Sequence, residues 1–251
     1  MPSQDESQGH GSPQPDRGAA RIAVERERRD GLDLLLFAAP GLGAELRDVL
    51  LEAGLARRGQ RDAGSQLEWC PHPVTSAWVK GGRLRPGSAL RHGLRRLALG
   101  RPYPRLREFE NLVWLREQGF LAPRPLLAGL GSLRGRPVLQ FLATEWVPDA
   151  PSLAGLVELG ASSERLVSAT AEVGRMLARL HAAGFEHRDA YPRNFVLDAS
   201  GRPWVLDTWR GGPVVPRHRA RAIARDRADF EADAAGLLPA AAIDAFRATA
   251  E

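Results

Sequence analysis

The sequence is short of several things, and each shortage removes a class of explanation. It holds one cysteine, Cys70, so neither an internal disulfide nor a thiolate metal cluster can be built within the chain. Its longest apolar run, LDLLLFAAPGLGA, is interrupted by Asp33 and Pro40 and is too short to cross a bilayer. The opening MPSQDESQGHGSPQPDRGAA has no apolar segment of the kind a secretory signal needs. It is polar and rich in Pro, Gly and Ser, so residues 1–22 are expected to form a disordered tail. There is no internal repeat. Lysine is the sharpest shortage: of 35 basic residues only Lys80, in TSAWVKGG, is lysine, and the other 34 are arginine. A bias that strong makes single arginines uninformative and makes the one lysine a question.

What is present is ordinary for a globular chain. The 251 residues are 43% hydrophobic and 26% charged, enough for one large domain or a two-lobed unit. The net charge of +5 suits a solvated basic surface or an attraction to phosphates, acidic sugars or acidic headgroups. The cytosol, or the cytoplasmic face of an inner membrane, is the expected location.

Periodicity gives a coarse map. GAELRDVLLEAGL places Leu46, Val49, Leu50 and Ala53 on one helical face, with Gly54 as a stop. SQLEWCP and VTSAWVK read as neighbouring strands, with Lys80 at the end of the second. An Arg-rich linker follows, then a helix over REFENLVWLREQGF that carries Glu108 in its first turn and stops at Gly119. PLLAGL and VLQFLATEWV are two further strands, and VPDAPS (147–152) is the expected hinge. A long helix capped near Ser163 carries Leu166, Val173, Met176, Leu177 and Leu180 on one stripe. FVLD and WVLD form a hairpin, and 217–251 is a helical tail. The expectation is an α+β chain in two lobes: a β-rich lobe over 23–146 and a compact helical lobe over 147–251.

The chemistry concentrates in HRDAYPRN, directly after the long helix. It fits H-R-D-x4-N through Asp189 and Asn194, and WVLD delivers Asp207 thirteen residues beyond Asn194. Singly, Lys80, Glu108, Asp189, Asn194 and Asp207 each have a bland reading: a surface charge, a helix-dipole partner, a capped loop or a turn. Together and in this order they are the parts of kinase phosphoryl transfer. Asp207 and Asn194 would offer hard oxygens to Mg²⁺. Asp189 would accept the proton of an attacking hydroxyl. Lys80 would hold the phosphates of ATP with Glu108 as its ion-pair partner, Glu110 being the alternative on another helical side. Glu145, near the end of VLQFLATEWV, joins the expected cofactor-binding set. His187 and Arg188 are read as structural: the histidine under the Asp207 loop, the arginine in a local ion pair or at the substrate.

These segments resemble the bacterial lipopolysaccharide kinases, the Kdo/heptose kinase group of the protein-kinase-like superfamily. The likeness rests on WVK before a Gly- and Arg-rich linker, on REFENLVWLREQGFLAPRPLLAG, on LHAAGFEHRDAYPRNFVLD, and on WVLDTWRGG, where D-x-x-R-G stands in place of D-F-G. It implies a bilobal kinase fold, ATP and Mg²⁺ as cofactors, and transfer to a sugar hydroxyl of an anionic glycolipid. It also implies peripheral contact with an inner membrane through the Arg-rich segments.

Two departures stand out. No G-x-G-x-x-G precedes Lys80, and Gly59 and Gly64 are the weak candidates for a phosphate-covering turn. No A-P-E-like motif follows Asp207, so a phosphorylated activation loop is not expected. The competing readings are an antibiotic or small-molecule phosphotransferase, a small atypical protein kinase, and a pseudokinase-like binding module. The intact Lys80, Asp189, Asn194 and Asp207 oppose the last. Nucleic acid is not an expected partner, because no basic–aromatic interleaving appears.

Overall fold

The computed structural model describes residues 22–60, 67–71, 75–100, 102–147 and 150–250. The expected tail therefore lies outside the described residues except for Ile22, as do Gly64 and Pro148–Asp149 of the expected hinge.

A six-stranded antiparallel sheet dominates the first part of the chain. Its order is β1 (Ala23–Arg29), β2 (Leu32–Ala38), β5 (Pro125–Leu133), β6 (Arg136–Glu145), β4 (Ala77–Arg83), β3 (Leu67–Cys70). Strand β2 alternates cleanly: Leu32, Leu34, Leu36 and Ala38 are buried and the residues between them are less so. β1 went unread in the sequence because AVERERR is charged, as edge strands often are. It is joined to β2 by Asp30 and Gly31, both at positive φ (52° and 77°), the two-residue turn that matches strand twist.

Three helices serve this sheet, one more than the sequence suggested. Helix α1 (Ala44–Ala56) covers one face, where Leu46, Leu50, Leu51 and Leu55 pack with Val79, Leu127 and Phe141. Gly54 does not stop α1. It lies inside the helix, and the position is glycine because a Cβ there would come within 2.5 Å of the Phe141 ring. Helix α2 (Pro86–Leu99) occupies what the sequence reading took for a linker. Helix α3 (Pro104–Glu117) covers the other face, with Phe109, Leu112 and Leu115 buried. Pro104 opens it at the first position, so Glu108 sits in the second turn rather than the first. Nor does Lys80 end its strand, for β4 runs on through Gly81 and Gly82 to Arg83. Gly81 has φ 134°, and a Cβ there would meet Gln140 O at 2.2 Å, so only glycine carries the strand past β6.

The remaining chain is mostly helical. Helix α4 (Leu153–Glu158) is capped by Ser152, whose Oγ accepts from Gly155 N at 2.9 Å. Helix α5 (Ser163–Ala182) is capped by Ser162, one residue before the expected cap, and buries the whole predicted stripe from Leu166 to Leu180. After α5 come β7 (Phe185–Glu186), the hairpin β8 (Phe195–Leu197) and β9 (Pro203–Val205), and β10 (Gly212–Pro213), which pairs with β7. Helices α6 (Arg219–Ala234) and α7 (Ala240–Thr249) finish the chain. α7 lies tight on α5: a Cβ at Gly174 would fall 2.2 Å from Thr249 Oγ1. The result is the expected α+β architecture, a β-rich lobe followed by a mostly helical one. Among the described residues no helix is long and apolar enough to cross a membrane.

Candidate active site

Two elements of the sheet lobe and two loops of the helical lobe converge. Lys80 projects from the middle of β4 onto the face covered by α3, and its Nζ lies 2.5 Å from Glu108 Oε1. It is also 3.1 Å from Asp207 Oδ1, after β9. Glu108 is buried, and its second oxygen accepts from Arg105 Nη1 at 3.1 Å. A buried carboxylate with a cation on each oxygen is fixed in place, and it holds the lysine in turn. Glu110, the alternative partner, is not the one α3 turns toward Lys80. Burial raises its pKa, with Arg107 pulling the other way.

Asp207 has left-handed backbone geometry, φ 55°, and so does Arg188 at φ 64°. Non-glycine residues persist there only when their surroundings hold them. Burial works to raise the Asp207 pKa, but Lys80 and then Arg105 outweigh it and keep the carboxyl below its ordinary value. It stands as an anion.

The loop holding Asp189 is hung on a residue the sequence reading passed over. Asp226 of α6 is fully buried and accepts from His187 N at 2.8 Å and Arg188 N at 2.7 Å, with His181 Nε2 at 3.0 Å. Thirty-seven residues separate Asp226 from Asp189, and it sits in an Arg/Ala-rich helix with no local motif to mark it. His187 lies under the Asp207 loop as expected, its Nε2 3.0 Å from Leu206 O. Burial lowers its pKa, so the ring is neutral and Nε2–H donates. Nδ1 is then free to accept from Asp189 N at 3.3 Å. Asn194 Nδ2 donates to Asp189 O at 2.8 Å, and Leu206 N donates to Asn194 O at 2.9 Å, which ties the Asn194 and Asp207 loops together.

Burial raises the pKa of Asp189, and Arg210 works against that shift with Nη1 2.9 Å from Oδ1. Arg210 comes from the D-x-x-R-G stretch; its spacing was visible in the sequence but its target was not. The same stretch is pinned to α3, where Asn111 Nδ2 donates to Thr208 O at 2.6 Å and Arg107 Nη2 donates to Gly211 O. Beside it opens a cavity of about 410 Å³ lined by Arg107, Arg188, Arg221 and Arg225, with His218 and the carboxylate of Glu186. Glu186 takes both Arg188, at 2.7 Å, and Arg225. Four guanidiniums against one carboxylate leave the cavity electropositive. Arg188 thus has the local ion pair that the sequence suggested.

Glu145 departs from expectation. It is paired with Ala77 in the register, and Ala77 and Val79 face α1, the side opposite Lys80. Its carboxylate meets Thr75 Oγ1 at 3.4 Å and Arg124 at 3.5 Å, not the Lys80 cluster. The phosphate-covering turn proposed through Gly59 and Gly64 can be judged only in part: Gly59 closes a 3₁₀ turn, while Gly64 is outside the described residues.

The donors left open suit a hard cation. Asn194 spends its amide nitrogen on Asp189 O and keeps its oxygen, and Asp207 keeps the oxygen not facing Lys80. One carboxylate and one amide oxygen, completed by phosphate and water, is a set that Mg²⁺ accepts.

Comparison with known proteins follows the same line. The model of the lipopolysaccharide kinase (Kdo/WaaP) family matches residues 74–233. A 3-deoxy-D-manno-octulosonic acid kinase of Xanthomonas campestris pv. campestris is 31% identical over 221 residues, 83% of this chain and 79% of that protein. One from Stenotrophomonas maltophilia is 30% identical over 205 residues, 80% of this chain and 75% of that protein. A solved structure titled WaaP in complex with acyl carrier protein overlays 92% of this chain and 79% of its own at 20% identity and a TM-score of 0.48.

Proposed function

From the premise that the chain belongs to the lipopolysaccharide kinase (Kdo/WaaP) family, and so is a phosphotransferase, we propose that it moves the γ-phosphoryl group of ATP to a Kdo hydroxyl of the lipopolysaccharide inner core. The observation that carries this is the meeting of Lys80 and Glu108 of the sheet lobe with Asp207, whose loop is tied to that of Asn194 and Asp189. The Kdo choice rests on the relatives at 30–31% identity. The two lobes are taken to divide at 146/147.

Each residue then has a task. Lys80, fixed by Glu108, holds α- and β-phosphate oxygens and limits their motion. Asn194 and Asp207 would hold Mg²⁺, which supplies charge neutralisation on the phosphates. Asp189 accepts the hydrogen bond of the acceptor hydroxyl and orients it toward the γ-phosphorus. The neighbouring basic cavity takes the acceptor's anionic group through charge-assisted contacts. Glu145, whose carboxylate lies on the far side of the sheet, would serve ATP only through its backbone at the strand end. The exposed arginines suit contact with an anionic membrane surface, where such an acceptor resides.

The test is an acceptor screen with labelled ATP. Label should enter a Kdo-bearing lipid A precursor. Label in a heptose-bearing acceptor alone would move the proposal to heptose, and label only in aminoglycoside or protein would overturn it. Asp189→Asn and Asp207→Ala should abolish transfer in a chain that still folds.

A further inference from the structure

Helix α2 presents three leucines to solvent. Leu90, Leu94 and Leu97 are 67%, 56% and 86% exposed, and their i, i+4, i+7 spacing puts them on one stripe. The helix is seated by a different side. Ala89 packs against the core and its carbonyl accepts from Tyr103 Oη at 3.4 Å, while the His92 and Tyr103 rings lie 6.0 Å apart. The leucine stripe is therefore not the face that holds the helix to the sheet.

The charge of the segment that carries this stripe has one sign. Between Glu68 and Glu108 there is no acidic residue, and the segment from Gly81 to Arg107 carries eight arginines. Arg105 and Arg107 are spent inside the fold, on Glu108 and Gly211. Arg83, Arg85 and Arg91 are exposed. An apolar stripe in a segment whose charged residues are all cations, on a helix of 14 residues, fits the boundary between headgroups and acyl chains of an anionic bilayer. An acidic protein would satisfy the arginines but gives no reason for three bare leucines in line.

We propose that α2 is an in-plane membrane anchor that inserts Leu90, Leu94 and Leu97 into an anionic lipid surface while Arg83, Arg85 and Arg91 meet the headgroups. The position is informative. β4, which carries Lys80, runs directly into α2, and α3, which carries Glu108, follows it. A bilayer held by α2 lies one element away from both. The proposal deepens the membrane contact named above, and its test contains no acceptor, so it succeeds or fails whatever the kinase phosphorylates.

The experiment is co-sedimentation of the full chain with vesicles of phosphatidylcholine plus phosphatidylglycerol, against phosphatidylcholine alone. Binding should require phosphatidylglycerol and weaken as salt rises. Leu94→Glu with Leu97→Glu should cut partitioning by roughly tenfold or more, with the melting temperature as the control for folding. Should that pair misfold, Arg85→Glu with Arg91→Glu tests the same contact by charge alone. An environment-sensitive dye on Leu97→Cys, in a Cys70→Ala background, should brighten and shift to the blue on anionic vesicles. Equal binding by wild type and the glutamate pair, equal binding to neutral vesicles, or an unmoved dye would overturn the anchor. Leu94-dependent self-association without vesicle binding would assign the face to a second copy of the chain instead.

Discussion

Arg210 holds Asp189: its Nη1 lies 2.9 Å from Oδ1, and it is the side chain that most opposes the upward pull of burial on that carboxyl. The relationship sets the sign of a pH effect. Asp189 must be ionised to accept a hydroxyl proton, so activity falls in acid as it becomes protonated. Removing Arg210 lets burial raise the pKa further. In Arg210→Ala the acid limb of kcat/KM should therefore move to higher pH, and Arg210→Lys should return part of the way. An acid limb that stays in place would show that Arg210 does not tune Asp189.

Lys80 is the next test. Arginine serves at every other Lys/Arg position, yet here the cation must fit between buried Glu108 and Asp207 at 2.5 and 3.1 Å while leaving a face for phosphates. A compact ammonium meets that need, and a broad planar guanidinium does not. Lys80→Arg should lower kcat by about a hundredfold or more, in the range of other lost phosphate or oxyanion contacts, with circular dichroism unchanged. Wild-type turnover by the arginine variant would mean the lone lysine is only a remnant of composition.

The sequence made the candidate site residues legible because each sits in a motif tied to its proposed chemistry: H-R-D-x4-N, the Asp after WVLD, the lysine in a strand. The alternation of β2 and the stripe of α5 were equally plain. What stayed hidden is long-range or negative. Asp226 acts from 37 residues downstream of Asp189 through two backbone N–H groups that no side-chain pattern encodes. β1 hid behind its charges, although Asp30-Gly31 was a usable turn signal. α2 hid because its apolar stripe has no buried counterpart, so its periodicity looked like a linker's composition. Glu145 was placed by its nearness to a strand end; which face it takes follows from register, which sequence alone does not supply.

Asp226 should be a stability residue first. Its carboxylate satisfies His187 N, Arg188 N and His181, and it is fully buried. Asp226→Ala strands buried donors and should cost about 3 kcal/mol or more in denaturant unfolding. The pH dependence has a definite sign. Burial works to raise its pKa, but the bonds from His181, His187 and Arg188 outweigh that and hold it below the ordinary 3.8. A depressed carboxyl stabilises the fold above the unfolded-state value and loses that contribution as pH falls through 3.8 toward the folded-state value. The stability gap between wild type and Asp226→Asn should narrow below that point; a constant gap would assign the acid sensitivity elsewhere.

Gly54 offers a case where propensity and packing oppose each other. By intrinsic preference, alanine in a helix interior gains about 1 kcal/mol over glycine. At Gly54 the added methyl would sit 2.5 Å from Phe141 Cδ2, and the ring cannot retreat, because Gly129 of β5 faces it with a built Cβ only 2.2 Å from Cε1. Both glycines exist to admit that ring, which is fully buried between α1 and the sheet. Overpacking of this kind costs about 1–3 kcal/mol, so the helix gain is outweighed and Gly54→Ala should destabilise. Urea unfolding at unchanged m-value measures it. Shortening the ring supplies the decisive comparison: in a Phe141→Leu background the same Gly54→Ala change should cost less or become favourable, because the clash is gone and the propensity remains. Equal cost in both backgrounds would mean that something other than Phe141 excludes the methyl.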